Sequence, residues 1–197
     1  MFRSMEGAED DEAGGAIALG DGGLGRDDVL VALSSSGGTP FVIGALRKAK
    51  KIGATTVAVT CNPLSPAAEL ADVVIAPVVG AEIVAGSTRL KAGTAQKLVL
   101  NMLTTAAMIK LGKVHDGYMI GVQPTSQKLR SRAKRIVAAI AGVKPEEAEE
   151  ALERADGEVS IAILMAKSNA TVEEARRALD RSGGYLRRAL ETLRCSR

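Results

Sequence analysis

The sequence has no tryptophan, two tyrosines, two phenylalanines and one histidine in 197 residues. With aromatics at 2%, whatever core it builds must be aliphatic. The lone His115 leaves little room for a Ser-His-Asp hydrolase or a multi-histidine metal centre, since either would have to be assembled around that one ring. Cysteine is equally scarce. Cys61 and Cys195 match neither a disulfide framework nor a metal-ligand spacing, which points to a reducing compartment and, with an acidic N-terminus lacking any signal-like apolar run, to the cytoplasm. Long apolar stretches are missing as well: 73–86 is interrupted by Pro77 and Glu82, and 98–109 falls far short of the ~20 residues that span a bilayer. No membrane partner is expected. The charge balance is mild, 26 basic against 23 acidic side chains, and does not argue for nucleic acid.

What is present is an alternation of apolar runs and helical patterns. The first 28 residues, acidic and rich in glycine, read largely as loop. The runs 28–34, 54–60 and 72–76 then read as strands, the first suited to burial on both faces of a parallel sheet, with helices over 40–51 and 66–71 between them. Pro40 suits a first helical position, and Gly53 ends that helix. This order predicts an α/β fold with a parallel sheet flanked by helices. Further helices are expected over 91–113 and 126–139. The latter is basic through Lys128, Arg130, Arg132, Lys134 and Arg135 but has no interleaved aromatics, as befits a solvated face. From 142 onward only helical segments follow, at 145–154, 159–167, 171–181 and 185–193, with Thr171 and Glu174 spaced for a capping box. The domain boundary is accordingly set at 140/141.

Ligands of open parallel sheets bind beyond the carboxyl ends of the strands, where helices begin. The segment Ser34-Ser-Ser-Gly-Gly-Thr39 falls there, and its hydroxyls and glycine amides suit a phosphate. A plain hydroxyl-capped turn would look the same. It lacks the Gly-Lys-Ser/Thr ending of a P-loop and the glycine spacing of a dinucleotide fingerprint.

This segment resembles the S-x-S-G-x-T phosphate loop of sugar isomerase (SIS) domains. Glu6-Gly-Ala-Glu-Asp10, Thr39-Pro-Phe-Val-Ile43, Cys61-Asn-Pro63 and above all the stretch from Val79 to Met102 extend the likeness to the N-acetylmuramic acid 6-phosphate etherases, which are related to the glucokinase regulatory protein. The likeness covers about 6–190 and implies a partial SIS-type sheet followed by a small helical bundle resembling ubiquitin-associated domains. It implies lyase chemistry in cell-wall recycling: the D-lactyl ether is cleaved to N-acetylglucosamine 6-phosphate and D-lactate. The sugar opens, a carboxylate removes the acidic C2 proton, lactate leaves C3 and water adds to the alkene, with no cofactor or metal. Glu9 falls on one of the family's two functional glutamates, although on its own it reads as part of a solvated acidic run. Ser34, Ser36, Gly37 and Thr39 are implied as holding the 6-phosphate; Gly38 stands where many relatives carry Arg. Glu82, Ser87 and Lys91, from the most specific stretch, either line the sugar site or serve helix capping and ion pairing together with Arg89. His115 takes a position usually held by Tyr or Phe, which suits packing. The family begins with a further segment holding a second phosphate loop and the other glutamate, so the expected behaviour of this chain by itself is little or no turnover. A homodimer is also implied. The alternative is a non-enzymatic sugar-phosphate sensor.

Overall fold

The computed structural model describes residues 7–195. Glu6, the first residue of the Glu-Gly-Ala-Glu-Asp motif, lies outside them. The chain forms two compact units that meet in sequence at 102/103.

The first unit is built on three parallel strands in the order β1 (Val29–Leu33), β2 (Thr55–Val59), β3 (Val73–Ile75), with Leu33 level with Val59 and Val59 with Ile75. Side chains alternate across the sheet. Leu30, Ala32 and Ala58 pack on one face with Ile43, Leu46 and Ala67, which come from helices α2 (Pro40–Ile52) and α3 (Pro66–Leu70). Val31, Leu33, Val57, Val59 and Ile75 meet Val99 of α4 (Lys91–Lys110) on the other. Burial on both faces, expected of β1, is reached in β2 instead. The flanking strands stay half open, with Val29 56% and Val73 47% exposed, because each has a paired neighbour on one side only among the described residues.

The expectation of loop before residue 28 is corrected. After a 3-10 turn at Ala8–Asp10, helix α1 runs over Glu12–Asp21, with the Asp11 side chain accepting from the Gly14 amide as its N-cap. One of the glycines that suggested loop, Gly15, serves close packing with α2. A β-carbon on Gly15 would lie 2.0 Å from the Phe41 carbonyl oxygen, and one on Gly44 1.9 Å from that of Glu12, so α1 and α2 touch backbone to backbone. Glu12 also pairs with Arg47.

In the second unit, a two-stranded hairpin (β4, Val114–His115; β5, Tyr118–Met119) precedes α5 (Gln127–Ala141), α6 (Pro145–Arg154), α7 (Val159–Ser168), α8 (Val172–Arg181) and α9 (Leu186–Cys195). Its core joins Ile120 of the hairpin end, Val137 and Ile140 of α5, and fully buried Ile163 and Leu164 of α7. Thus α5 shares its apolar face with α6–α9. Thr171 and Glu174 form the predicted capping box. Among the described residues no helix is long and apolar enough to cross a membrane.

Candidate functional site

β1 delivers the chain directly into the serine loop. Ser34, 8% exposed, continues the ladder by donating its amide to the Val59 carbonyl at 3.1 Å. Its hydroxyl then organises the turn: Oγ accepts the Gly37 amide at 3.0 Å and bonds the Thr39 hydroxyl at 2.8 Å, with Ser36 Oγ 3.5 Å away. Ser36 Oγ in turn accepts from the Gly38 amide at 3.2 Å. Gly37 has φ 70°, a left-handed conformation that side chains disfavour. At the loop's exit Thr39 flanks α2 without a side-chain cap, so no hydroxyl of that residue covers the first-turn amides.

The loop is fixed from below by Cys61 of the quoted motif and by Thr60, Ser65 and Ala67, which the sequence reading did not single out. The Cys61 amide donates to the Ser35 carbonyl at 3.0 Å, and the Ala67 amide to the Gly37 carbonyl at 2.9 Å. Thr60 and Ser65, both fully buried, stand under Gly37, close enough that any β-carbon there would overlap Ser65. Ser65 Oγ accepts from Ala68 as the N-cap of α3. One signal was available: hydroxyl residues bracketing Cys61-Asn-Pro63 just after a strand. Its meaning depends on a neighbour some 25 positions earlier.

Glu82 lies in the Val79–Met102 stretch and is committed to backbone. Its two carboxylate oxygens accept the Lys91 and Ala92 amides, each at 3.0 Å, capping α4. Those amides, Ala92's first, together with the Lys91 charge, hold the carboxyl below its ordinary range. Partial burial pushes the Cys61 thiol up, and the Glu82 charge adds to this. Ser87 is half-buried and accepts the Leu90 amide through its carbonyl, while Arg89 and Lys91 are exposed.

Glu9 is exposed within the 3-10 turn. Among the described residues no hydrogen bond or ion pair joins it to 34–39. The turn enters α1 at Glu12, which faces Gly44 and Arg47, one to two turns along α2 from the loop. The structure thus gathers Ser34, Ser36, Gly37 and Thr39, sets Glu82 and Lys91 together at the start of α4, and does not join Glu9 to either group. A cavity of about 520 Å³ between α5 and α6 contains none of these residues. Among the described residues no cluster of three metal-ligating side chains occurs.

The chain is similar to known proteins along most of its length. Residues 15–106 match the SIS domain family. Over 190 residues, 96% of the chain, it is 51% identical to an N-acetylmuramic acid 6-phosphate etherase of Mesorhizobium japonicum and 52% identical to one of Brucella anthropi, covering 62% of each. It is 53% identical to one of Yersinia pestis, covering 64%. The chain therefore spans just under two thirds of the length of these relatives.

Proposed function

From an SIS domain over 15–106 and close kinship to etherases along nearly its whole length, we infer that this chain is the phosphosugar-anchoring portion of an N-acetylmuramic acid 6-phosphate etherase. The observation that carries the reading is the loop 34–39. Four hydroxyl or amide groups from Ser34, Ser36, Gly37 and Thr39 converge at the end of β1, where the uncapped start of α2 adds its field for an anion. A 6-phosphate seated there leaves the sugar ring outside the sheet edge, towards Ser87 and Lys91, with Glu82 setting the position of Lys91 through its hold on the start of α4.

The chemistry is carbon–oxygen lysis. Glu9 takes the proton from C2 of the opened sugar, lactate departs from C3 with the electrons of the broken bond, and water adds across the alkene to restore a C3 hydroxyl. Asp10 and Asp11 stand next to Glu9 in sequence and make that part of the site strongly acidic. Since Glu9 and the loop are not joined within this chain, turnover calls for the length that the relatives have beyond it and for a homodimer. The exposed apolar side chains of α4 support association: Leu98 is 52%, Met102 62% and Ile109 51% exposed. The setting is cytoplasmic amino-sugar catabolism, with no nucleic acid or membrane partner.

The direct test is titration of the chain with N-acetylglucosamine 6-phosphate and, separately, unphosphorylated N-acetylglucosamine, following the backbone amides of 34–39 by NMR. The phosphosugar shifts these amides and the neutral sugar does not; equal or absent responses overturn the reading. In a protein extended to the relatives' length, Glu9→Gln abolishes D-lactate release while phosphosugar binding persists.

A further inference from the structure

The helical unit carries two rows of charge at matched spacing. On α5, Lys128, Arg132 and Arg135 stand at i, i+4 and i+7, all exposed. On α6, Glu146, Glu150 and Glu153 repeat that spacing on the side opposite the buried Ala148, Ala151 and Ala155. At 3.6 residues per turn each set forms one stripe along its helix. Among the described residues none of the six forms a salt bridge. The ion pair that joins the two helices, Lys134 with Glu149 at 2.5 Å, uses neither row. Beside the basic stripe runs a groove of about 430 Å³ between α5 and the hairpin, with buried Ile136 and the exposed Tyr118 and Met119 in its lining.

We propose that the helical units of two copies of this chain dock on each other, the Lys128/Arg132/Arg135 row of each copy taking the Glu146/Glu150/Glu153 row of the other. In a two-fold arrangement the contact occurs twice, so every charge of both rows is matched and the groove beside Tyr118 and Met119 is covered from its rim. A nucleic acid fits less well: a phosphate chain on α5 would lie next to α6, which also exposes Glu147 and Glu149 and would repel it. Association through α4 is a separate, apolar contact, and salt distinguishes the two.

The test is sedimentation velocity on the full chain. Raising NaCl from about 50 to about 500 mM weakens one association step roughly tenfold or more, as exposed charge pairs are screened. Arg132→Glu with Arg135→Glu removes that step, as does Glu146→Lys with Glu150→Lys, and each double variant keeps the circular dichroism of the parent. An equimolar mixture of the two restores it, because reversed rows pair across copies; general damage to the fold gives no such rescue. Should a reversal unfold the chain, the neutral pair Arg132→Gln and Arg135→Gln supplies the same loss. A salt-independent association, or a mixture that stays apart, overturns the proposal. So does capture of single-stranded poly(U) by the parent that the arginine reversals abolish.

Discussion

Replacing Gly37 by alanine should cost the first unit more than any other single methyl group in the serine loop. The new β-carbon would lie 2.1 Å from Ser65 Oγ and 2.4 Å from Ser65 Cβ, with Thr60 Oγ1 at 2.9 Å. None of these can step aside cheaply: Ser65 and Thr60 are fully buried, and Ser65 Oγ is the N-cap acceptor of α3. The left-handed backbone adds about 1 kcal/mol for a residue with a side chain. Overpacking adds about 1–3 kcal/mol, and a displaced cap about 1 kcal/mol more. Allowing for relaxation, roughly 3 kcal/mol is expected, about a hundredfold in the folding equilibrium. Urea unfolding measures it, and phosphosugar titration of the same variant should be weakened, because Ser34 Oγ loses its place on the Gly37 amide. Gly38→Ala is the internal control. Its nearest neighbour would be Ser36 Oγ at 3.9 Å and its φ is not positive, so its midpoint should stay close to that of the parent. If Gly37→Ala unfolds and binds like the parent, the account of the loop is wrong.

Acid should loosen the first unit through Asp72. The fully buried Thr56 hydroxyl and the Thr56 amide donate to its carboxylate, with Lys50 beside it, and hold its pKa below the ordinary 3.8. A depressed folded pKa stabilises above the unfolded value and is lost as pH falls through the folded one, so urea midpoints should drop below about pH 4, and drop less steeply in Thr56→Val. Glu82, held below its ordinary 4.5 by the Ala92 and Lys91 amides, adds in the same direction and frays the start of α4. In the second unit, Thr171→Ala removes the acceptor for the Glu174 amide and should lower stability by about 1 kcal/mol; an unchanged thermal midpoint would contradict the capping role.

Most of the sheet was readable because each strand and helix carries its own period. The runs at 29–33, 55–59 and 73–75 are apolar, and Pro40, Gly53 and Pro66 punctuate the helices where they begin and end. Helix α1 was not readable. Gly14, Gly15 and Gly20 lower helix propensity in any local view, and the value of Gly15 appears only once α2 lies against it. The hairpin at 114–119 went unnoticed since two-residue strands hold no period to detect. In the site, the loop residues were visible as a motif, while Thr60 and Ser65 were not, because their task is defined by a loop brought near through a crossover. Glu82 was legible as an acid in the stretch that carries the family resemblance most specifically, yet open in role; its two bonds to amides of α4 emerge only in three dimensions.

The backbone contact between α1 and α2 has a consequence for how this surface tolerates change. With no side chains interlocking at Gly15 and Gly44, the seam resembles two planed boards rather than cogged wheels. A saturation library should therefore reject nearly every replacement at these two sites while accepting broad variety at outward Ile17 and Ala18, leaving a two-point imprint by which the seam can be traced without any coordinates.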